Sequence, residues 1–99
     1  MKTKVELDPQ VVALVRALAP DPRKRMRAAL RELEREKGDL KQLEAELAAY
    51  ARLRVGPFRV ILRFYSVRGQ RIIRCVYAER RSVVYELFAQ ILRSGNLNV

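Results

Sequence analysis

In the stretch RLRVGPFRVILRF, residues 52–64, arginine recurs at Arg52, Arg54, Arg59 and Arg63 among apolar side chains, on either side of a Gly-Pro step. A guanidinium is a planar fork of five N–H donors that grips phosphate or carboxylate oxygens two at a time, and it stays protonated at any cellular pH. Several of them converging can hold a polyanion and neutralise charge that builds up at a phosphorus centre. Downstream, ERRSVVY at 79–85 adds Arg80, Arg81 and Tyr85, a phenol that can stack on a base. Other chemistries lack their residues. The chain has no histidine, and Cys75 is its one cysteine, so an intramolecular disulfide and histidine acid–base catalysis are excluded. A zinc site would lack its usual ligands, and no metal or other cofactor is expected. Cys75 has no His or Lys near it in sequence to activate it and reads as a small buried hydrophobe.

Charge sharpens the arginine signal. The net charge is +10, and its distribution is lopsided: residues 50–99 hold 10 Arg, no Lys and 2 Glu, whereas residues 1–49 are nearly balanced. A one-sided positive field attracts nucleic acid or another acidic partner. With 49% hydrophobic and 32% charged residues and no low-complexity tract, the 99-residue chain is expected to fold as one domain over 1–99. No window approaches 18 continuous apolar residues, so no membrane partner is expected. Glu6, Asp8 and Arg16 interrupt the apolar N-terminal stretch where a secretory core would lie, which points to a cytoplasmic protein.

The elements that must position these arginines follow from periodicity. Residues 2–7 alternate as a short strand, and Asp8-Pro9 places an N-cap before Pro at a first helical position. Val11, Leu14, Val15 and Leu18 continue at helical spacing until Ala19-Pro20. Asp21-Pro22 repeats the cap for a helix over 22–37, with Met26, Ala29, Leu30 and Leu33 on one stripe and Gly38 as C-cap. Leu40, Leu43 and Leu47 suggest a further short helical stretch. From Tyr50 the period becomes two, giving strands over 50–55, 58–65 and about 70–77, joined by Gly56-Pro57 and a loop with Arg68-Gly69. Ser82 is the expected N-cap of a last helix carrying Val84, Leu87, Phe88 and Ile91. The fold class is α+β: N-terminal strand, helical hairpin, three-stranded antiparallel meander and C-terminal helix.

A two-residue turn at Gly56-Pro57 sets Arg54 opposite Arg59 and Arg52 opposite Ile61, and cross-strand partners share a face. Arg52, Arg54, Arg59, Ile61 and Arg63 then lie on one side, with Leu53, Val55, Phe58, Val60, Leu62 and Phe64 on the other. A turn at Arg68-Gly69 adds Arg74 opposite Arg63 and sends Ile73, Cys75 and Tyr77 to the apolar side. A solvated polar face is the plain reading of such alternation. It ordinarily mixes charge signs, because like charges directly opposite repel. On these three strands no carboxylate precedes Glu79, which favours an external anion.

The segment YARLRVGPFRVILRF, preceded by DLKQLEAELAAY and followed by ERRSVVY, resembles the RelE/ParE superfamily of bacterial type II toxins. The element order is similar along nearly the whole chain. The resemblance implies the compact RelE-like fold and, for the RelE branch, a ribosome-dependent endonuclease that cleaves mRNA by attack of a 2′-OH on the adjacent phosphate. It implies a cognate antitoxin as partner, with a toxin–antitoxin hetero-oligomer, and mRNA on the ribosome as target. Carried over by position, Arg52, Arg54 and Arg59 take the basic positions of the first hairpin, and Tyr85 takes the tyrosine near the last helix. The arginine before that tyrosine is Arg80 or Arg81; the resemblance favours Arg80 as catalytic, with Arg81 beside Arg63 and Arg74 as RNA contacts. Where active members carry lysines this chain has Arg52 and Arg54, which do not accept a proton, so the base for the 2′-OH stays unassigned. Two alternatives stay open: a ParE-like inhibitor of DNA gyrase without nuclease activity, and a catalytically weak basic RNA-binding module.

Overall fold

A computed structural model describes residues 2–95, so residue 1 and residues 96–99 of the expected domain lie outside the described residues. The strands are β1 Lys4–Leu7, β2 Asp39–Gln42, β3 Ala51–Val55, β4 Phe58–Val67 and β5 Gln70–Arg80. The helices are α1 Pro9–Ala17, α2 Pro20–Glu32 and α3 Val84–Ser94, with single 3₁₀ turns at Leu33–Arg35 and Ala45–Leu47. One sheet runs in the order β1-β5-β4-β3-β2, with β1 parallel to β5 and the other pairs antiparallel. The expected α+β order is therefore present, but the meander has four strands rather than three. Among the described residues no helix is long and apolar enough to cross a membrane.

The added strand corrects the helical reading of the leucines at 40, 43 and 47. Leu40 sits on β2 and packs toward α1 and α2, whereas Leu43 and Leu47 pack on the α3 side of the sheet. Their spacing mimics a helix because a short strand runs straight into a 3₁₀ turn. Two helix boundaries also shift. Helix α2 starts at Pro20, since both prolines fit its first turn, where the missing N–H costs nothing. After the following 3₁₀ turn the chain reverses at Glu36, in left-handed conformation at φ 54°, and not at Gly38. The Glu36 carboxylate accepts from Thr3 Oγ1 at 2.6 Å and pairs with Arg71 at 3.2 Å, which holds that turn. Gly38 serves a close approach instead: a Cβ there would lie 2.7 Å from Leu53 Cδ1, where β2 meets β3. Helix α3 begins at Val84, two residues after the expected Ser82 cap. Residues 81–83 form a turn in which the Arg81 N–H donates to the Pro57 carbonyl at 2.8 Å.

Both faces of the sheet are covered. On one, Val11, Val15, Met26, Leu30 and Leu33 of the helical hairpin and its 3₁₀ turn bury Leu53, Val60, Leu62, Ile73 and Cys75. On the other, α3 places Val84, Phe88 and Ala89 over Ile61, Val76 and Tyr50, with the Tyr50 ring edge-on to Phe88 at 4.9 Å. The first hairpin has the expected register, Arg54 opposite Arg59 and Arg52 opposite Ile61, and Arg63 pairs with Arg74. Tyr77 departs from expectation. Ile61 pairs with Tyr77 and Leu62 with Cys75, so Val76 is the extra residue of a β-bulge. The bulge turns Val76 and Tyr77 together toward α3, and Tyr77 stacks on Phe88 with ring centroids 5.9 Å apart.

Candidate functional site

Gly56 at φ 57° followed by Pro57 supplies the positive-then-negative φ order of a type II′ hairpin turn, and that turn fixes which arginines face α3. Helix α3 covers the middle of that face. Beside it opens a cleft of about 710 Å³ lined by Arg52, Arg54, Gly56, Arg59, Arg81 and Tyr85 together with Lys41, Gln42, Leu43, Glu44 and Leu47. Among the described residues four separate segments thus bring five cations to one concavity, and Glu44 is its one lining carboxylate.

Arg59 is the fixed point. The residue is only 6% exposed, and its Nη1 donates to the Gly56 and Phe58 carbonyls at 2.9 Å each. Those bonds use both Nη1 hydrogens and leave Nη2 and Nε, which make no other hydrogen bond among the described residues, as donors for a ligand. A guanidinium immobilised in this way loses little further freedom on gripping an anion.

The expected lack of a counter-charge is corrected by β2. Asp39 lies opposite Arg54, and its carboxylate takes Arg52 Nη1 at 3.0 Å and stands 4.0 Å from Arg54 Nε. Arg52 also donates to the Asp39 carbonyl at 2.7 Å. The Arg52 hydrogen bond, helped by the charges of Arg52, Arg54 and Arg59, holds the Asp39 carboxyl below the usual carboxylate range. The repulsion between Arg54 and Arg59 is therefore partly answered inside the protein.

The remaining expected residues lie elsewhere. Arg80 pairs with Phe58 across β4 and β5 and carries its guanidinium 5.1 Å over the Phe58 ring, so it does not line the cleft, whereas Arg81 does. Arg63 and Arg74 face each other away from the cleft lining. Arg74 holds Asp8 through Nε at 2.8 Å and Nη2 at 3.1 Å, which ties β5 to the start of α1 and explains why Asp8 makes no side-chain cap bond. Arg63 lies 5.7 Å from the Tyr65 ring centroid. Cys75 is fully buried, and burial pushes its thiol up to about 12, far from a nucleophile's range. Sequence reasoning missed Lys41, Gln42 and Glu44, because the leucines of the segment that carries them read as a short helical stretch. The signal was thin: Gly38, then charged Asp39 and Lys41 alternating around Leu40.

No known family model matches the sequence, and no curated protein matches it. Solved structures do. The fold superimposes on a YoeB/ParE toxin from Agrobacterium tumefaciens with a TM-score of 0.65 at 11% identity, covering 80% of this chain and 99% of that one. RelE in its complex with RelB from Pyrococcus horikoshii OT3 matches with a TM-score of 0.61 at 26% identity, covering 82% and 97%. The RelB-RelE complex from Methanococcus jannaschii gives 0.59 at 20% identity, covering 84% and 98%. The chain has the fold of the RelE/ParE superfamily of toxins. The solved structures that share this fold thus include a YoeB/ParE toxin and RelE chains of toxin–antitoxin complexes.

Proposed function

We propose that the basic cleft cuts mRNA on the ribosome and that the protein is the toxin of a cognate antitoxin. The convergence of Arg52, Arg54, Arg59, Arg81 and Tyr85 on one concavity carries this reading. Arg59, held by two carbonyls, and Arg81 grip the non-bridging oxygens of the scissile phosphate as charge gathers there. Arg52 and Arg54 track the neighbouring phosphates, and Tyr85, half-exposed in the first turn of α3, stacks on or orients a base. Arg80 has no part in the chemistry, since it faces the other side of the sheet over Phe58. The solved RelB-RelE complexes among the structural neighbours support an antitoxin partner.

Expression without antitoxin is expected to arrest growth and to cleave ribosome-bound mRNA. Arg59→Ala, Arg81→Ala and Tyr85→Ala relieve both effects, while Arg80→Ala does not. An intact, folded protein that leaves ribosomal mRNA uncut refutes the reading. The likeness to a protein described as YoeB/ParE favours one rival, inhibition of DNA gyrase by binding alone. Inhibited supercoiling in the absence of RNA cleavage would select that rival.

A further inference from the structure

The arginines that line the cleft bind charge but do not remove a proton, and a 2′-OH does not attack phosphorus at a useful rate unless something takes its hydrogen. Resting on the endonuclease reading, we infer that Glu44 is the general base. Among the described residues it is the one carboxylate that lines the cleft with the arginines of β3 and β4. Glu46, the nearest other acid along the chain, does not line the cleft and pairs with Arg93 at 3.4 Å, and Asp39 of β2 is already engaged by Arg52. Among the described residues Glu44 makes no ion pair and no side-chain hydrogen bond, so both its oxygens are open to a substrate.

Its position is built rather than loose. Leu43 donates its N–H to the Tyr50 carbonyl at 3.0 Å, and the Glu44 carbonyl accepts from the Leu47 N–H at 3.1 Å. The Gln42 side chain donates to the Ala48 and Tyr50 carbonyls at 2.6 and 2.8 Å, which closes the 43–50 loop. Leu43 and Leu47, on either side, are anchored in the core beneath α3. Ala45, directly after Glu44, sits in left-handed backbone at φ 54°, a conformation that a non-glycine residue adopts only where its surroundings impose it. The charged and titratable groups that line the cleft with Glu44 are Lys41 of β2, Arg52 and Arg54 of β3, Arg59 of β4, then Arg81 and Tyr85. Lys41 and Tyr85 are the other lining side chains with a proton to exchange, whereas the arginines keep theirs.

In the step assigned here, the O2′–H bond breaks and its proton moves to a Glu44 oxygen. The O2′–P bond forms, and the P–O5′ bond breaks as O5′ takes a proton from solvent water. Glu44 then returns its proton to solvent, leaving a 2′,3′-cyclic phosphate and a 5′-hydroxyl.

The test is single-turnover cleavage of programmed ribosomes by wild type, Glu44→Gln, Glu44→Asp and Lys41→Arg, with RNA binding measured in parallel. Glu44→Gln is expected to lose roughly 10²–10⁴-fold in cleavage rate with binding kept. Glu44→Asp cleaves at a reduced rate, and Lys41→Arg, which keeps its charge but gives up any ability to accept a proton, loses far less than Glu44→Gln. If Glu44→Gln cleaves at the wild-type rate, or if Lys41→Arg is the inactive variant, Glu44 is not the base while the nuclease reading stands. A wild-type protein that binds RNA and does not cut it overturns the nuclease reading and the assignment together.

Discussion

Replacing Asp39 by asparagine tests whether the cleft arginines contact phosphate, because it changes one charge and little shape. Asp39 stands against Arg52 at 3.0 Å and Arg54 at 4.0 Å, and an asparagine keeps an oxygen for Arg52 while giving up the negative charge. The Asp39 carbonyl, the second acceptor for Arg52, is unchanged. The variant therefore frees about one positive charge for the ligand without unseating the side chain. For single-stranded RNA each neutralised phosphate adds about 0.7 to the slope of log K against log salt. Taking the added contact to vanish near 1 M salt, Asp39→Asn should bind about 4-fold tighter than wild type at 0.15 M and about 8-fold tighter at 0.05 M. Fluorescence anisotropy with a short labelled single-stranded RNA over that range reads both affinity and slope. Asp39 is largely solvent-exposed and its ion pair is screened, so circular dichroism should report an unchanged fold. Equal affinity and equal slope for the two proteins would refute the placement of Arg52 and Arg54 on the RNA backbone. Weaker binding would mean that Asp39 positions Arg52 rather than competing for it.

The other expectations concern the fold. Gly38→Ala would set a methyl 2.7 Å from Leu53 Cδ1 at φ 144° and should destabilise the protein by about 1–3 kcal/mol, read as a lower thermal midpoint. Cys75 should resist thiol reagents at pH 8 in the native protein and react on unfolding. Its folded value of about 12 exceeds that of an unfolded thiol, so the stability it contributes is complete below the unfolded value and is lost as pH rises towards 12. Glu36, lowered first by the Thr3 hydrogen bond and then by Arg71, behaves in the opposite sense. Its contribution is present above the ordinary carboxylate value and is lost as pH falls through the lowered one, so Glu36→Gln should flatten the acid limb of a stability–pH curve.

The first hairpin was legible because two facts suffice: Gly56-Pro57 limits the turn to two residues, and a two-residue turn sets the register. Arg63 opposite Arg74 followed from the same rule at Arg68-Gly69. The bulge at Val76 left no mark, since residues on both faces of β5 are buried and Cys75, Val76 and Tyr77 are apolar whichever way they point. Strand β2 stayed hidden for a related reason. It is four residues long at a sheet edge, with one partly buried side chain, so its sequence carries solvent-side chemistry and almost no alternation. The half of the site built by the hairpin could thus be read in advance, and the half built by β2 and its following turn could not. Arg80 against Arg81 turned on which face the last residue of β5 takes, and that depends on the bulge several residues earlier.

Net charge alone would have misled. Of the basic residues in the strands, Arg74 is held by Asp8, Arg71 by Glu36 and in part Arg52 by Asp39, while Arg80 and Arg71 also lie over Phe58 and Phe64. What sets the cleft apart is the manner in which its cations are held. A lysine at position 59 could donate to the same two carbonyls, but its single nitrogen would have only one hydrogen left and no second in-plane edge to present. Arginine bonds the turn with one nitrogen and keeps two others for a ligand, so burial costs it little of its binding capacity. The same feature bars it from proton transfer. A site that uses arginine at every strand position must therefore draw its acid–base chemistry from outside the strands of that hairpin, and the segment bordering the cleft with an unengaged carboxylate is the turn that begins at Glu44.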